Sequence, residues 1–555
     1  MNDLPVKKKI LIFFAAFAAI SFLYLIPLGS HGLLEPDEGR YAEISREMLE
    51  SRDFVTPRLN YVKYFEKPAM LYWMNAASFY IFGENEAAAR FAPALCALLG
   101  ALASSLLGTF IFGARAGLFA GMTAALSILY FVIGTIDSTD MPLAFFLTLA
   151  LSSFYAGHVK SDRRWYLLFY AAMAFGLLTK GLVALVLPGA IIFWYVVFTR
   201  KWGLIREVLY MPGILIFLLI SAPWFYLVCR ENPDFFHFFF IREHFLRYAT
   251  KIADRYEPFW YFIPIVPIGL IPWTGFLFAL FSKKSVVRAP MDNSVKDACI
   301  FLLTWFAVIL IFYSFSNSKL IPYIVPCTTP LAILIGADID RMVRRREWHG
   351  AAVLSSAGIA LLFSAALAAY ALTQHEIPNA DAFPIACKLA AGLLLGPMCA
   401  MWLSRKKKPS FGKAAAALFI SAFIFIAGLW DIYGIMGQFR SSRAISEVII
   451  NEKRKDDTIA VYGEVLHGIP FYTKQRVMLI DYMGELEFGA RQSEGAGWFP
   501  SAGEFRAEWY NRQKEFVLVV KKDRLSSLFP NGDAHETKKI ETGKHFILFN
   551  RRQLQ

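Results

Sequence analysis

Six short polar segments interrupt this otherwise apolar chain, and their residue types suit phosphate binding, proton transfer or metal ligation. The first is Leu34-Glu35-Pro36-Asp37-Glu38-Gly39-Arg40-Tyr41-Ala42-Glu43. Adjacent carboxylates at a helix start can cap its free N–H groups. The alternative is that one acid faces a catalytic cavity while its neighbour anchors the turn, which makes Asp37 and Glu38 the catalytic candidates. The second segment, Tyr64-Phe65-Glu66-Lys67-Pro68, sets a Lys beside a Glu. An exposed pair of this kind is worth about 0–1 kcal/mol. Wedged between aromatics and a proline, however, Lys67 is placed to meet a lipid phosphate at headgroup depth.

In the third, Asp137-Ser138-Thr139-Asp140-Met141-Pro142, two acids without a basic neighbour suggest a metal ligand or an acceptor for sugar hydroxyls. Capping of the following helix is the competing reading of Asp140. The fourth is Ile241-Arg242-Glu243-His244-Phe245-Leu246-Arg247, where His244 and Arg247 share a face if helical. A His with a carboxylate can hold a divalent metal, and an Arg can clamp a phosphate; a lone His is more often a surface residue. In the fifth, Ser316-Asn317-Ser318-Lys319-Leu320-Ile321-Pro322-Tyr323, a single base precedes a Tyr by four residues. Finally, Leu178-Thr179-Lys180-Gly181 puts a Lys in a tight turn.

Such groups need a scaffold, and here it is a membrane bundle. Of 555 residues, 57% are hydrophobic, 16% aromatic and only 18% charged, against about 45–50% apolar and about 25% charged in soluble domains. Apolar runs of about 20 residues, enough to cross a bilayer core, predict thirteen spans. They fall near 9–29, 87–112, 117–135, 141–157, 165–179, 181–199, 208–228, 258–281, 297–315, 320–337, 350–371, 384–403 and 414–434. The first is too long for a signal-peptide core and lacks a following A-x-A-like site, so it reads as an uncleaved anchor.

Alternate loops differ sharply in charge. One set carries twenty-three Lys and Arg, whereas the other set's short loops hold only Lys180 and Lys319. The positive-inside rule places the N-terminus in the cytoplasm and, with an odd number of spans, the C-terminus outside. Residues 1–434 thus read as a transmembrane domain, with an external loop over 30–86 whose run Ala69–Gly83 lies along the interface. Residues 435–555 read as a small α/β domain. Its predicted strands are Thr458–Tyr462, Val477–Ile480, Phe516–Val520 and Phe546–Phe549, and its predicted helices Ser441–Lys455 and Gly503–Gln513.

Several functions are disfavoured. The net charge of +13 comes from topological loops, with no continuous basic patch for nucleic acid. The six cysteines include no CxxC pair and lie mostly in apolar runs, as small buried hydrophobes. No Walker or G-x-G-x-x-G loop offers a nucleotide site. A transporter would place coupled charges at the midplane of repeated helices; here they gather at one face. Cations to bind the phosphate of a lipid carrier, and acids to handle sugar or metal, therefore lie together on the outer side.

The ordered set Asp37–Glu43, Tyr64–Pro68, Tyr72-Trp73, Phe82-Gly83, Arg90-Phe91, Asp137–Pro142, Leu178–Gly181, Arg242–Arg247 and Ser318–Pro326 resembles one family. It is that of the bacterial 4-amino-4-deoxy-L-arabinose lipid A transferases, within the protein O-mannosyltransferase-like superfamily of GT-C fold. The resemblance covers about residues 10–340. It implies inverting transfer from an undecaprenyl-phosphate sugar to lipid A or another envelope glycan, on the periplasmic side of the inner membrane. Protein O-glycosyl transfer on the same scaffold is the alternative. It further implies Asp37 as the catalytic acid, and Glu66, His244 and Asp140 as ligands of a divalent metal. Lys67, Arg247 and Tyr323 would hold the carrier phosphate, with Arg40, Lys180 and Lys319 counted among the substrate-binding cations.

Overall fold

Helices form where the apolar runs lie, because a backbone in hydrocarbon must satisfy its own hydrogen bonds. The computed structural model describes residues 5–246, 256–288, 292–347, 350–373, 379–511, 513–530 and 538–550. Among them, eight helices are long and apolar enough to cross a membrane: Ile10–Gly29, Glu86–Phe112, Asp140–Lys160, Met211–Glu231, Asn293–Phe315, Ile321–Arg345, Pro384–Arg405 and Phe411–Arg440. Ala114–Ala125 and Ile128–Gly134 make a ninth if taken as one span bent by 64°. The predicted span 350–371 falls on the 24-residue helix Gly350–Thr373, and the others on shorter or broken helices. Arg164–Lys180 and Val183–Thr199 have 17 residues each. The predicted span 258–281 is two short helices, Phe262–Gly269 and Thr274–Ala279. Prolines 258, 264, 267 and 272 explain the break, since each lacks an N–H and crowds the preceding turn.

The chain forms two compact units, the first comprising Met1–Pro27 and Phe91–Ile432. In it Asp140–Lys160 and Arg164–Lys180 pack as a hairpin, turned by Ser161 in the left-handed region (φ 52°). Small residues bring other helices close. A Cβ on Gly336 would lie 2.4 Å from Ala120 N, so Thr328–Arg345 meets Ala114–Ala125 backbone to backbone. Phe14, Phe198 and Leu219 are 63%, 61% and 66% exposed, a surface suited to lipid.

The second unit comprises Leu28–Arg90 and Tyr433–Gln555. Its main sheet has five strands. After a small hairpin of β1 (Arg58–Leu59) and β2 (Val62–Lys63) come β3 (Thr458–Tyr462), β4 (Val477–Ile480), β5 (Phe516–Lys521), β6 (Lys538–Thr542) and β7 (His545–Asn550), in spatial order β4-β3-β5-β7-β6. The first three pair in parallel and the last two antiparallel. Phe505 and Trp509, from the helix Ala502–Asn511, bury against Phe516, Leu518 and Leu548. Asn60 joins residues 28–90 to this sheet, its amide exchanging two hydrogen bonds with the Val477 backbone at 2.7 and 2.8 Å. The sequence misses only β6 among the five. Lys538, Lys539 and Glu541 make it a charged edge strand, which resists further pairing and carries no strand-like apolar pattern.

Candidate active site

The helix Asp37–Ser51 begins after Pro36 and carries both acids in its first turn. Asp37 and Glu38 diverge from there. Glu38 is fully buried, and its two oxygens accept from Arg90 Nε and Nη2 at 2.7 Å each. Arg90, equally buried, gives its other donors to the carbonyls of Leu28, His31 and Gly32 at 2.6, 2.9 and 2.9 Å. Glu38 also accepts the Leu34 N–H at 2.8 Å. A buried charge pair is tolerated when its hydrogen bonds are met in this way, so Glu38 anchors the turn. Asp37 points outward instead, with its side chain 59% exposed, and ion-pairs with Arg40 one turn on. Arg40 is buried and pairs on its other side with Glu485, which is hydrogen-bonded to His467 Nε2 at 2.6 Å. The result is a chain of linked polar groups: Asp37, Arg40, Glu485, His467.

Two further residues hold that chain in place. Glu35 accepts from the Gly468 and His467 N–H groups at 2.7 and 3.0 Å and from Ser442 Oγ at 2.8 Å. Burial pushes its carboxyl up, while His467 and these hydrogen bonds pull it down. A Cβ on Gly39 would sit 2.7 Å from Gly468 N. Only glycine lets the helix Asp37–Ser51 approach the helix Gly468–Thr473 so closely.

Burial opposes ionisation of Glu485, but Arg40 and the His467 hydrogen bond outweigh it and hold its pKa at about 2. A carboxylate depressed in the folded state stabilises it above the ordinary value, and that contribution fades as pH falls toward about 2. Thermal melts taken at falling pH should therefore show an acid-induced loss of stability that Glu485→Gln largely removes. Equal acid sensitivity in both proteins would discount the pair.

Lys67 Nζ donates to the Glu66 carbonyl at 2.9 Å, a backbone contact within the same tight segment. Glu66 acts electrostatically on the hydroxyls of Tyr64 and Tyr72, and Arg40 and Glu485 act on the same two groups. Tyr64, Glu66 and Tyr72 thus share the surroundings of Arg40. Two buried atoms here, Arg40 Nε and Tyr72 Oη, have no hydrogen-bond partner among the described residues. Atoms of that kind suit the oxygens of a bound polar ligand.

The first unit assembles its own group. Lys180 ion-pairs with Asp140 and stands 4.4 Å from the ring centroid of Tyr323, so three of the sequence candidates meet there. Lys319 is buried and donates to the carbonyls of Ser316 and Glu257 at 2.6 and 2.7 Å. Burial lowers its pKa, with Glu257 opposing. The side chain of His244 and all of Arg247 lie outside the described residues. Among the described residues no three His, Cys, Asp or Glu side chains are grouped to hold a metal ion, and the Asp140 carboxylate already carries Lys180. The expected ligand set of Glu66, His244 and Asp140 includes one side chain, that of His244, outside the described residues.

Sequence reasoning misses Glu485 and His467, and it passes over the anchoring role of Arg90. A signal for Arg90 exists: an arginine opening an apolar helix is costly to bury alone and demands an acid. Glu485 and His467 give none, being polar residues among many in the tail.

Comparison with known proteins extends along the chain. A family model described as dolichyl-phosphate-mannose-protein mannosyltransferase matches residues 66–227, and one described as aminoarabinose transferase C-terminal domain matches residues 445–533. The second lies beyond residue 340, where the motif resemblance ends. An undecaprenyl phosphate-alpha-4-amino-4-deoxy-L-arabinose arabinosyl transferase of Aeromonas hydrophila is 31% identical, over 93% of this chain and 95% of its own. The protein of that name from Yersinia enterocolitica is 30% identical, over 91% and 92%. The crystal structure of ArnT from Cupriavidus metallidurans bound to undecaprenyl phosphate matches with a TM-score of 0.84 at 32% identity, covering 99% of both chains.

Proposed function

Because this chain belongs to the undecaprenyl phosphate-aminoarabinose arabinosyl transferase family, we propose that it moves 4-amino-4-deoxy-L-arabinose from undecaprenyl phosphate to lipid A. It is a multi-pass membrane glycosyltransferase of GT-C fold with a small C-terminal α/β domain. The likeness over the full chain carries this reading. It also favours lipid A over a protein acceptor, because the tail matches the aminoarabinose transferase C-terminal domain. The inner membrane, with the N-terminus in the cytoplasm and the C-terminal domain in the periplasm, is the placement that the basic loops support.

Transfer breaks the bond between the sugar's anomeric carbon and the carrier phosphate, and forms one to an acceptor oxygen on the opposite face. Charge grows on the departing phosphate, and Lys67 is the cation of the second unit assigned to stabilise it. Asp37 is the acid with an accessible carboxylate, and Arg40 fixes its direction. The acceptor decides its part. A lipid A phosphate is already anionic near neutral pH, so Asp37 then orients the reactants without taking a proton; a sugar hydroxyl would surrender its proton to Asp37. Glu38, Arg40 and Glu485 are positioning residues in this scheme. Lys180, Tyr323, Lys319 and Arg247 are donor contacts on the strength of the resemblance, each open to single substitution.

Mass spectrometry of lipid A from cells with and without the gene tests the proposal. Aminoarabinose on lipid A is expected only with the gene; gene-dependent sugar on protein instead would replace the acceptor. In the purified protein, Lys67→Ala is expected to weaken donor binding about 10- to 100-fold, the cost of one charge-assisted contact. Unchanged donor affinity would remove Lys67 from the phosphate.

A further inference from the structure

A second polar group in the first unit belongs to neither the donor chemistry nor the acid turn. Asp140 opens the helix Asp140–Lys160, whereas Tyr155, His158 and Lys160 lie near its other end, about 30 Å away for a helix of this length. There the Asp297 carboxylate accepts from Tyr195 Oη at 2.6 Å and from Lys201 Nζ at 2.7 Å, with Tyr155 Oη at 3.5 Å. Lys201 Nζ also stands 3.0 Å from His158 Nε2. A lysine is ordinarily a mobile point charge; this one is fixed by its neighbours.

The group borders a cavity of about 770 Å3. Its lining is of two kinds: apolar Phe110, Val159, Phe198 and Ile300, and polar Asn293, Ser294, Lys201 and Lys296. Two ammonium groups face one carboxylate, and Lys296 has no carboxylate partner among the described residues. Outside the lining, Lys160 stands 5.2 Å from the Phe110 ring centroid and 4.5 Å from that of Trp165. The cavity lies where Glu86–Phe112, Asp140–Lys160 and Val183–Thr199 end and Asn293–Phe315 begins. That is the end of the bundle that carries the basic loops.

We propose that this cavity binds an anionic phospholipid of the adjoining leaflet, with Lys201 and Lys296 on its phosphate and the apolar wall against its acyl chain. A soluble anion would gain nothing from Phe110, Val159, Phe198 and Ile300, whereas an amphipathic one uses both kinds of lining. Basic pockets between helices on the side of the positive loops suit such headgroups. The proposal rests on the membrane reading and not on the transfer reaction, so its failure would leave the enzymatic reading standing.

Native mass spectrometry of the full chain in neutral detergent, titrated with phosphatidylglycerol or phosphatidylcholine, is the test. The wild type should retain phosphatidylglycerol preferentially, with retention about fivefold weaker for each ammonium removed by Lys296→Gln or Lys201→Gln. Lys407→Gln, in a basic loop outside the cavity, should retain the lipid as the wild type does. Because Lys296 is exposed, its substitution stays readable even if Lys201→Gln unfolds the protein. Equal retention of the two lipids, or equal retention by the wild type and Lys296→Gln, would overturn the proposal. So would displacement of phosphatidylglycerol by inorganic phosphate, which would reveal a simple anion site.

Discussion

Asp37→Asn is expected to abolish sugar transfer, with a loss of about 10^2-fold or more in rate, the cost of losing a group that orients the reactants. The protein should meanwhile accumulate and melt like the wild type. The substitution removes one charge from a side chain that is 59% exposed and leaves an amide oxygen for Arg40. Glu38 and Arg90 keep the turn in place, so the helix start need not move. Donor affinity should change little, because the loss falls on the chemical step and not on ground-state binding. The readout is single-turnover transfer from the purified donor beside a thermal melt. Wild-type rates would dismiss the role assigned to Asp37, whereas a collapsed melt would mean that its bond to Arg40 serves folding instead.

One residue further on, the expectation reverses. Glu38→Ala should destabilise the protein by about 3–5 kcal/mol, the penalty for leaving a buried charge without its partner. Arg90 would keep its three carbonyl acceptors but lose both carboxylate oxygens, in surroundings with no access to water. Against a typical net stability of about 5–15 kcal/mol, such a loss should empty the membrane of folded protein. Glu38→Gln should be milder, since its amide oxygen still accepts one bond from Arg90. Melting temperature and membrane yield decide the matter. A Glu38→Ala protein that melts normally yet cannot transfer sugar would return Glu38 to the catalytic residues. Neighbouring acids in one motif are thus separated by readout, one through rate and the other through stability.

This division explains the composition of Asp37-Glu38-Gly39-Arg40. Asp37 presents a carboxylate, Glu38 ties the turn to Arg90, Gly39 allows contact with Gly468, and Arg40 bridges Asp37 and Glu485. The C-terminal domain therefore completes the setting of the acid turn. Without Glu485, Arg40 would keep only an exposed partner and Asp37 would lose its fixed direction.

The membrane character of the chain, its helices and its basic loops were legible in the sequence, because hydropathy and loop charge act locally and need no knowledge of packing. Asp37, Asp140, Lys180 and Tyr323 stood out for the same reason, as polar groups isolated between apolar runs. Four strands of the tail showed as short apolar runs, whereas β6 hid behind its edge charges. Only the tertiary structure decided which acid of the pair at 37 and 38 stays accessible. That choice depends on where Arg90, 52 residues on from Glu38, brings its guanidinium. Nor could any local pattern show that Glu485, 445 residues from Arg40, would be its partner. Pairing of buried charges is a property of the folded neighbourhood, and the chain alone specifies only which residues are available for it.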